Sequence, residues 1–477
     1  MISRIAVRKL LGLLVALLMC SPIAAQVHMG IDASEFRARR QAVMAAAPDG
    51  IVLLHSASAP KNLNEAGFQQ DSFFYYFTGL ENLHDAILGI DGLSKQTWLF
   101  VLPPSNGRQQ RISAALTGWD AAYLQAGAET EQLLGIDHVV PWEGFADFIE
   151  ARRKASPGFA LYLDQGGEGK MVADVSNPPG LAPIENPFVL WTAAIRAKWP
   201  DAIVVDAAPV IKPIRAVKSP AEVALLRQAA RYTDAGFRGA MAAIAPGRTN
   251  HQIEGAAVEA AMRAGADSPG MWPELMSGAV SGATIFQKFW DYHLQNRTLH
   301  AGETVLINLG FNHELYKGDV ARTLPVSGRF TADQAEVIDF MDEAYQAGLR
   351  VMRDGISGDE VIQTSIRYVA DHRLALRSEL ARRAAAELLK PGVWVMYSHG
   401  IDPVEIFPVK QLHTGNTIAY GPDFNVDGVG FYEEDVSLIT ASGHELVNPA
   451  LPYKAADIER TMARLKGSKA RNGQVSP

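Results

Sequence analysis

The apolar positions of this chain fall into two regimes. From about residue 30 to 208, short apolar runs alternate with stretches that repeat every three to four residues. The runs at 51–54, 73–77, 98–101 and 202–205 are brief, rich in β-branched or aromatic side chains and bounded by turn formers, which predicts strands. Residues 34–47 and 187–198 carry helical spacing between them. This half reads as α/β.

Pro209 and Pro213 interrupt the pattern across 207–218, which predicts a break between two domains. The second regime then opens with strong helix starts. Ser219, Pro220 and Glu222 combine an N-cap, a proline at the first helical position and a capping-box acid. Val223, Leu226, Ala230, Phe237 and Met241 follow on one face. Thr249 with Gln252, Thr331 with Gln334, and Ser357 with Glu360 repeat the capping spacing, and Gly265 is expected to stop the second helix. Strands are predicted at 304–309, 395–398, 416–420 and 436–440. Residues 468–477 are polar and read as a disordered tail.

Composition narrows the picture. Residues 1–25 read as a secretory signal: Arg4, Arg8 and Lys9 precede an apolar run at 10–19, and Ala24 and Ala25 offer small side chains at the cut. That run is about half of the ~20 residues a membrane-spanning helix needs. The expectation is a periplasmic or secreted protein with no membrane segment after cleavage. Cys20 is the only cysteine and lies within the signal, so the mature chain offers no disulfide, thiol nucleophile or thiolate ligand. A formal charge of −8 without a basic run argues against a nucleic-acid partner.

Several blocks resemble one family, the Xaa-Pro aminopeptidases of the M24 peptidase family. Residues 69–80 and 98–101 resemble its front domain. Residues 215–222 resemble its opening helix, 304–310 with 319–328 its first metal hairpin, and 433–440 its last metal strand. The resemblance runs from about residue 30 to 465. It implies an α/β chain with a creatinase-like N-terminal domain at 30–208 and a pseudo-symmetric pita-bread domain at 215–467.

In that family five side chains hold two divalent cations. The resemblance places Asp319 and Glu433 at two ligand positions. Asn308 stands where an Asp is expected, Pro403 where a His is expected four residues after His399, and Gly421 where a Glu is expected. Among the helper positions, Asp291 and Lys410 replace His, and Phe431 replaces Arg. Glu434 and Asp435 read as surface or supporting groups. Two carboxylates cannot offset the four positive charges of a metal pair. They hold at most one ion, loosely, and oxygen donors favour Mn, Mg or Ca over Zn. The expected cofactor is therefore none or one weakly bound, Mn-like ion. Asp402, Glu405, His413 and Asp423 are near enough in sequence to help rebuild a single-metal site.

Three functions stay open at this point. The pocket binds a short peptide or a small amino-acid-derived ligand without cleaving it. Alternatively, the chain is a metal-independent or single-metal hydrolase of a small C–N compound, with Asp291, His293 or His399 as general base and Lys410 holding a carboxylate. The third reading is a working Xaa-Pro aminopeptidase with shifted ligands. Each leaves room for a homo-oligomer. All three expect Asn308, Asp319 and Glu433 to converge in one cleft of the C-terminal domain.

Overall fold

The computed structural model describes residues 27–59, 68–165, 187–271, 274–281, 296–448 and 451–472. The segment 1–25, expected as a signal, and Asp291 and His293 lie outside the described residues. Contacts divide the chain into two compact units, one ending at Ile214 and the next beginning at Arg215.

The first unit is built on a mixed six-stranded sheet. Its strands are β1 (Gly50–His55), β2 (Ile87–Asp91), β3 (Gln96–Val101), β4 (His138–Pro141), β5 (Ala160–Leu163) and β6 (Ile203–Asp206), in the order β4-β3-β2-β1-β5-β6. The hairpin pairs β1–β2 and β2–β3 are antiparallel, and the other neighbours are parallel.

Two expectations fail here. The run at 73–77 is not a strand but helix α1 (Ser72–Thr78), buried along its whole length. Asp71 caps it by accepting from the Phe73 and Phe74 amides, and Gly79 ends it at φ 72°. A short run that is apolar on every side fits a fully buried helix as well as a strand, and only the caps distinguish them. Residues 207–218 are likewise not irregular, since they hold helix α2 (Ala208–Ala216), while the boundary between the two units falls within them. Pro209 falls in the first turn, where its missing N–H is unsatisfied anyway, and Pro213 removes one internal bond from a short helix.

The second unit has helices α3 (Pro220–Ala243), α4 (Asn250–Ala264), α5 (Ala332–Leu349), α6 (Gly358–His372), α7 (Glu379–Leu388) and α8 (Ala455–Asn472). The capping boxes at Ser219, Thr249 and Thr331 form as the sequence predicts, and Gly265 ends α4 at φ 107°. Residues 468–472 continue α8 rather than starting a disordered tail. The sheet is antiparallel, with strands β7 (Glu274–Ser277), β8 (Thr304–Leu309), β9 (Val320–Pro325), β10 (Trp394–Ser398), β11 (Thr417–Val426) and β12 (Val429–Ile439) in the order β10-β11-β12-β9-β8-β7. A short strand, β13 (His444–Leu446), pairs with β12.

Alternation along these strands gives the sheet two distinct faces. One is apolar: Val305, Ile307, Val320, Leu324, Trp394, Met396, Tyr420 and Phe431 join the residues of α3–α8 in a single core. The opposite face carries the polar groups described below.

A buried ion network secures one edge of that face. Arg215 donates to Glu405 Oε1 at 2.6 Å and to Asp402 at 3.1 Å, and Lys218 donates to Glu405 Oε2 at 2.7 Å. Burial alone would raise the Glu405 carboxyl, but Lys218 and then Arg215 hold it down to about 2. The folded value lies below the ordinary 4.5, so the stabilisation is complete above pH 4.5 and fades as pH falls toward 2. Glu405→Ala should cost about 3–5 kcal/mol, because it strands two buried cations. Urea denaturation at neutral pH and near pH 3 measures both effects. Equal loss of stability at the two pH values would show that Glu405 acts through packing alone.

Candidate active site

The register of the second sheet decides which polar side chains meet. Asn308 pairs with Ala321, and Ala321 with Glu434, so these three share the face away from the helices. Tyr397 pairs with Ala419, and Asp423 with Tyr432, on that same face. Gly421 lies between Ala419 and Asp423 at the strand period and therefore belongs to it too. Asp319, just before β9, joins the group through Tyr397.

Two phenols bind the carboxyls together. The Tyr397 hydroxyl lies 3.1 Å from Asp319 Oδ2 and 2.9 Å from Glu434 Oε1, and Tyr432 donates to Glu434 Oε2 at 2.8 Å. A phenol has one proton, so Tyr397 donates to one carboxyl and accepts from the other. That arrangement needs a second proton, carried by the carboxyl from which Tyr397 accepts. Burial raises the Asp319 carboxyl, against the pull of His399. Burial raises Glu434 further, and the charge of Asp319 adds to it. Both phenols are pushed well up, first by burial and then by the carboxylates they face.

Asp319 holds its expected place, whereas Glu433 does not. Glu433 pairs with Arg322 and points to the helix-covered face. Burial pushes its carboxyl well up, and Asp342 of α5 adds to this through its charge and a hydrogen bond. Glu434, expected as a surface or supporting group, is the acid beside Asp319. The physical reason is strand parity, since a one-residue shift along β12 exchanges the faces. The same shift moves Phe431 away from the site. It stacks on Phe424 at 5.4 Å in the core, and Tyr432 occupies the inward place. Asp435 is not a surface group either: it is fully buried and takes two hydrogen bonds from Arg322, at 3.1 and 2.8 Å.

His399 and Lys410 do not fill the roles expected of them. His399 is buried 3.8 Å from Asp319 Oδ2, but both ring nitrogens lie 2.9 Å from backbone carbonyls, those of Pro403 and Lys317. With both nitrogens facing carbonyl oxygens, the ring is held by the backbone on both sides. The Lys410 carbonyl accepts from the Gly358 amide, and its side chain is exposed. Gly358 packs against Met396, whose side chain leaves β10 on the side opposite Tyr397. Asp402 and Glu405 are committed to the Arg215 network, and His413 and Asp423 are exposed.

Asn308 and Gly421 stand on the polar face as the resemblance implied. The Oδ1 atoms of Asn308 and Asp319 are buried and make no hydrogen bond among the described residues. Gly421 is more constrained than a missing ligand, because a Cβ there would lie 1.7 Å from the Glu433 carbonyl oxygen. No longer side chain fits without a shift of the backbone. Pro403 contributes its carbonyl to His399 and no side-chain donor. Glu274, which sequence reasoning passed over, is buried directly across from Asn308. Among the described residues no group of three or more His, Cys, Asp or Glu side chains is arranged to hold a metal ion. Among the described residues, Asp319 Oδ2 and Glu434 are hydrogen-bonded to phenols, both His399 nitrogens face backbone carbonyls, and Gly421 and Pro403 offer no side-chain donor.

Residues 224–441 match the model of metallopeptidase family M24, and residues 36–162 match that of the aminopeptidase P N-terminal domain. The Xaa-Pro aminopeptidase of Escherichia coli (strain K12) is 26% identical over 91% of this chain and 98% of its own length. That of Haemophilus influenzae is 26% identical over 90% of this chain and 97% of its own. The structure of Escherichia coli aminopeptidase P with the inhibitor Pro-Leu aligns with a TM-score of 0.71 at 23% identity, over 92% of this chain and 99% of that one.

Two substitutions test this geometry. Tyr397→Phe leaves two buried carboxyls without their shared hydroxyl and should lower stability by about 1–3 kcal/mol. Gly421→Ala should cost at least ~1–3 kcal/mol, because its methyl group meets backbone rather than a movable side chain. Urea denaturation at neutral pH reads both. A neutral Gly421→Ala variant would mean that β11 has room for a ligand side chain.

Proposed function

This chain belongs to metallopeptidase family M24 and carries the N-terminal domain of aminopeptidase P, and from that premise we propose that it binds short peptides or amino-acid derivatives without two-metal hydrolysis. It is an Xaa-Pro aminopeptidase-like protein. The observation that carries the proposal is the Asp319–Tyr397–Glu434–Tyr432 chain, in which phenols engage the two carboxyls that a metal pair would need.

The remaining chemistry suits an amine. Among the described residues, Asn308 Oδ1 and Asp319 Oδ1 are buried acceptors without a donor. A terminal ammonium brings three N–H donors and one positive charge, matching unfilled oxygens beside a carboxyl pair. The exposed Asp423 extends the acidic character of the face toward solvent. We also propose export, for which the basic and apolar segment at 1–25 is the support. A mature N-terminus at Gln26, read by N-terminal sequencing, is the expected result.

Calorimetry with an Xaa-Pro dipeptide, before and after EDTA dialysis, tests the binding reading. Elemental mass spectrometry of the dialysed protein accompanies it. The expected outcome is saturable binding insensitive to EDTA, less than one retained ion per chain, and no release of the first residue under added Mn. Glu434→Gln should weaken binding by roughly tenfold or more, the loss of a charged hydrogen-bond partner, whereas Glu433→Gln should leave it unchanged. Two tightly retained ions together with release of the first residue would overturn the proposal in favour of an active peptidase.

A further inference from the structure

We propose that the second unit has a separate binding site for a small anion carrying two or more negative charges, such as a phosphate- or polycarboxylate-bearing molecule. The site is a cleft of about 610 Å³ on the helical side, formed by α3, α5, α8 and the segment leading into α8. Nothing in the peptide-binding reading uses it.

Charge argues for an anion. The cleft is lined by Arg238, Lys454, Arg460 and Arg464 with Asp342 and Asp457, and Asp234 holds Arg238 at 2.8 Å. Lys454 is held by Asp342 at 3.0 Å and Glu343 at 3.2 Å, and Arg460 by Asp457. Arg464 makes no hydrogen bond or ion pair among the described residues. The α8 side of the cleft is organised rather than scattered. Asp457, Arg460, Thr461 and Arg464 recur at the three- and four-residue spacing that places them on one helix face. Two guanidiniums and a hydroxyl thus converge from successive turns. Planar forks of this kind pair two-point with phosphate and carboxylate oxygens.

The walls strengthen that field. Leu451, Pro452 and Tyr453 present an apolar side to the cleft. A concave surface with a low-dielectric wall and one dominant sign of charge focuses potential on its ligand. Tyr453 is itself fixed from behind, since the Arg322 guanidinium lies 4.3 Å from its ring centre and donates to the Pro452 carbonyl at 3.2 Å. The floor of the cleft is therefore preformed.

Pyrophosphate and citrate serve as probes, titrated into EDTA-dialysed full-length protein at constant ionic strength set with sodium chloride. Calorimetry and thermal unfolding should both show saturable binding. Arg460→Ala combined with Arg464→Ala, at exposed positions whose truncation leaves the core intact, should weaken it by roughly tenfold or more, as two charge-assisted contacts are lost. Arg263→Ala, on the exposed surface of α4 outside the cleft, should leave it unchanged. Stronger binding of pyrophosphate assigns a phosphate ligand, and stronger binding of citrate a polycarboxylate. Absence of saturable binding, or equal binding by the double variant, would overturn the site. Dipeptide binding by the same double variant is expected to be intact, so failure here is distinguishable from failure of the peptide-binding reading.

Discussion

Three consecutive carboxyls, Glu433, Glu434 and Asp435, are buried in a central strand with exposures of 1%, 0% and 0%. A buried carboxylate is tolerated only when paired, hydrogen-bonded or protonated. Each of these acids meets the requirement differently, and much of the second unit is arranged around the result. Asp435 receives the Arg322 fork, with Tyr345 donating at 3.2 Å. Glu434 is held by two phenols on the other face. Glu433 is driven toward its neutral form by burial and by the charge of Asp342, to which it is hydrogen-bonded. The residues that answer these demands come from β9, β10, β12 and α5, so strand order and side-chain chemistry specify each other.

Much of the architecture was legible because caps and periodicity are local. Ser219, Thr249 and Thr331 announced their helices through side chains that reach only three residues. β8 was legible because its apolar run is bounded at both ends. Helix α1 was not, because an aromatic run buried on all sides carries no period.

The candidate site was legible to the level of the strand and not of the face. Asp319 stands beside the polar face because the hairpin leading to β9 leaves little freedom. On β12 the acids occupy both parities, and no contrast of apolar with polar tells which side faces the core. Register supplies that information, and register is a property of the neighbouring strands. Tyr397 was invisible for a related reason: its importance arises from the carboxyls on two other strands. His399 illustrates the reverse error, since a suggestive residue type turned out to be spent on backbone carbonyls.

The close approach of β11 to β12 at Gly421 bears on reversibility. Asn308 and Pro403 differ from a metal-binding pattern by side chains alone, and those differences can be exchanged one codon at a time. Gly421 differs by the path of the main chain. A carboxylate introduced there meets the Glu433 carbonyl before it reaches any ion, so the substitution is disfavoured until the strands separate. Separating them disturbs the spacing that lets Tyr432 and Tyr397 reach Glu434. The present spacing of β11 and β12 and one that admits a carboxylate at residue 421 are thus alternative backbones, and an engineer seeking to pass from one to the other must begin with the strand rather than the side chain.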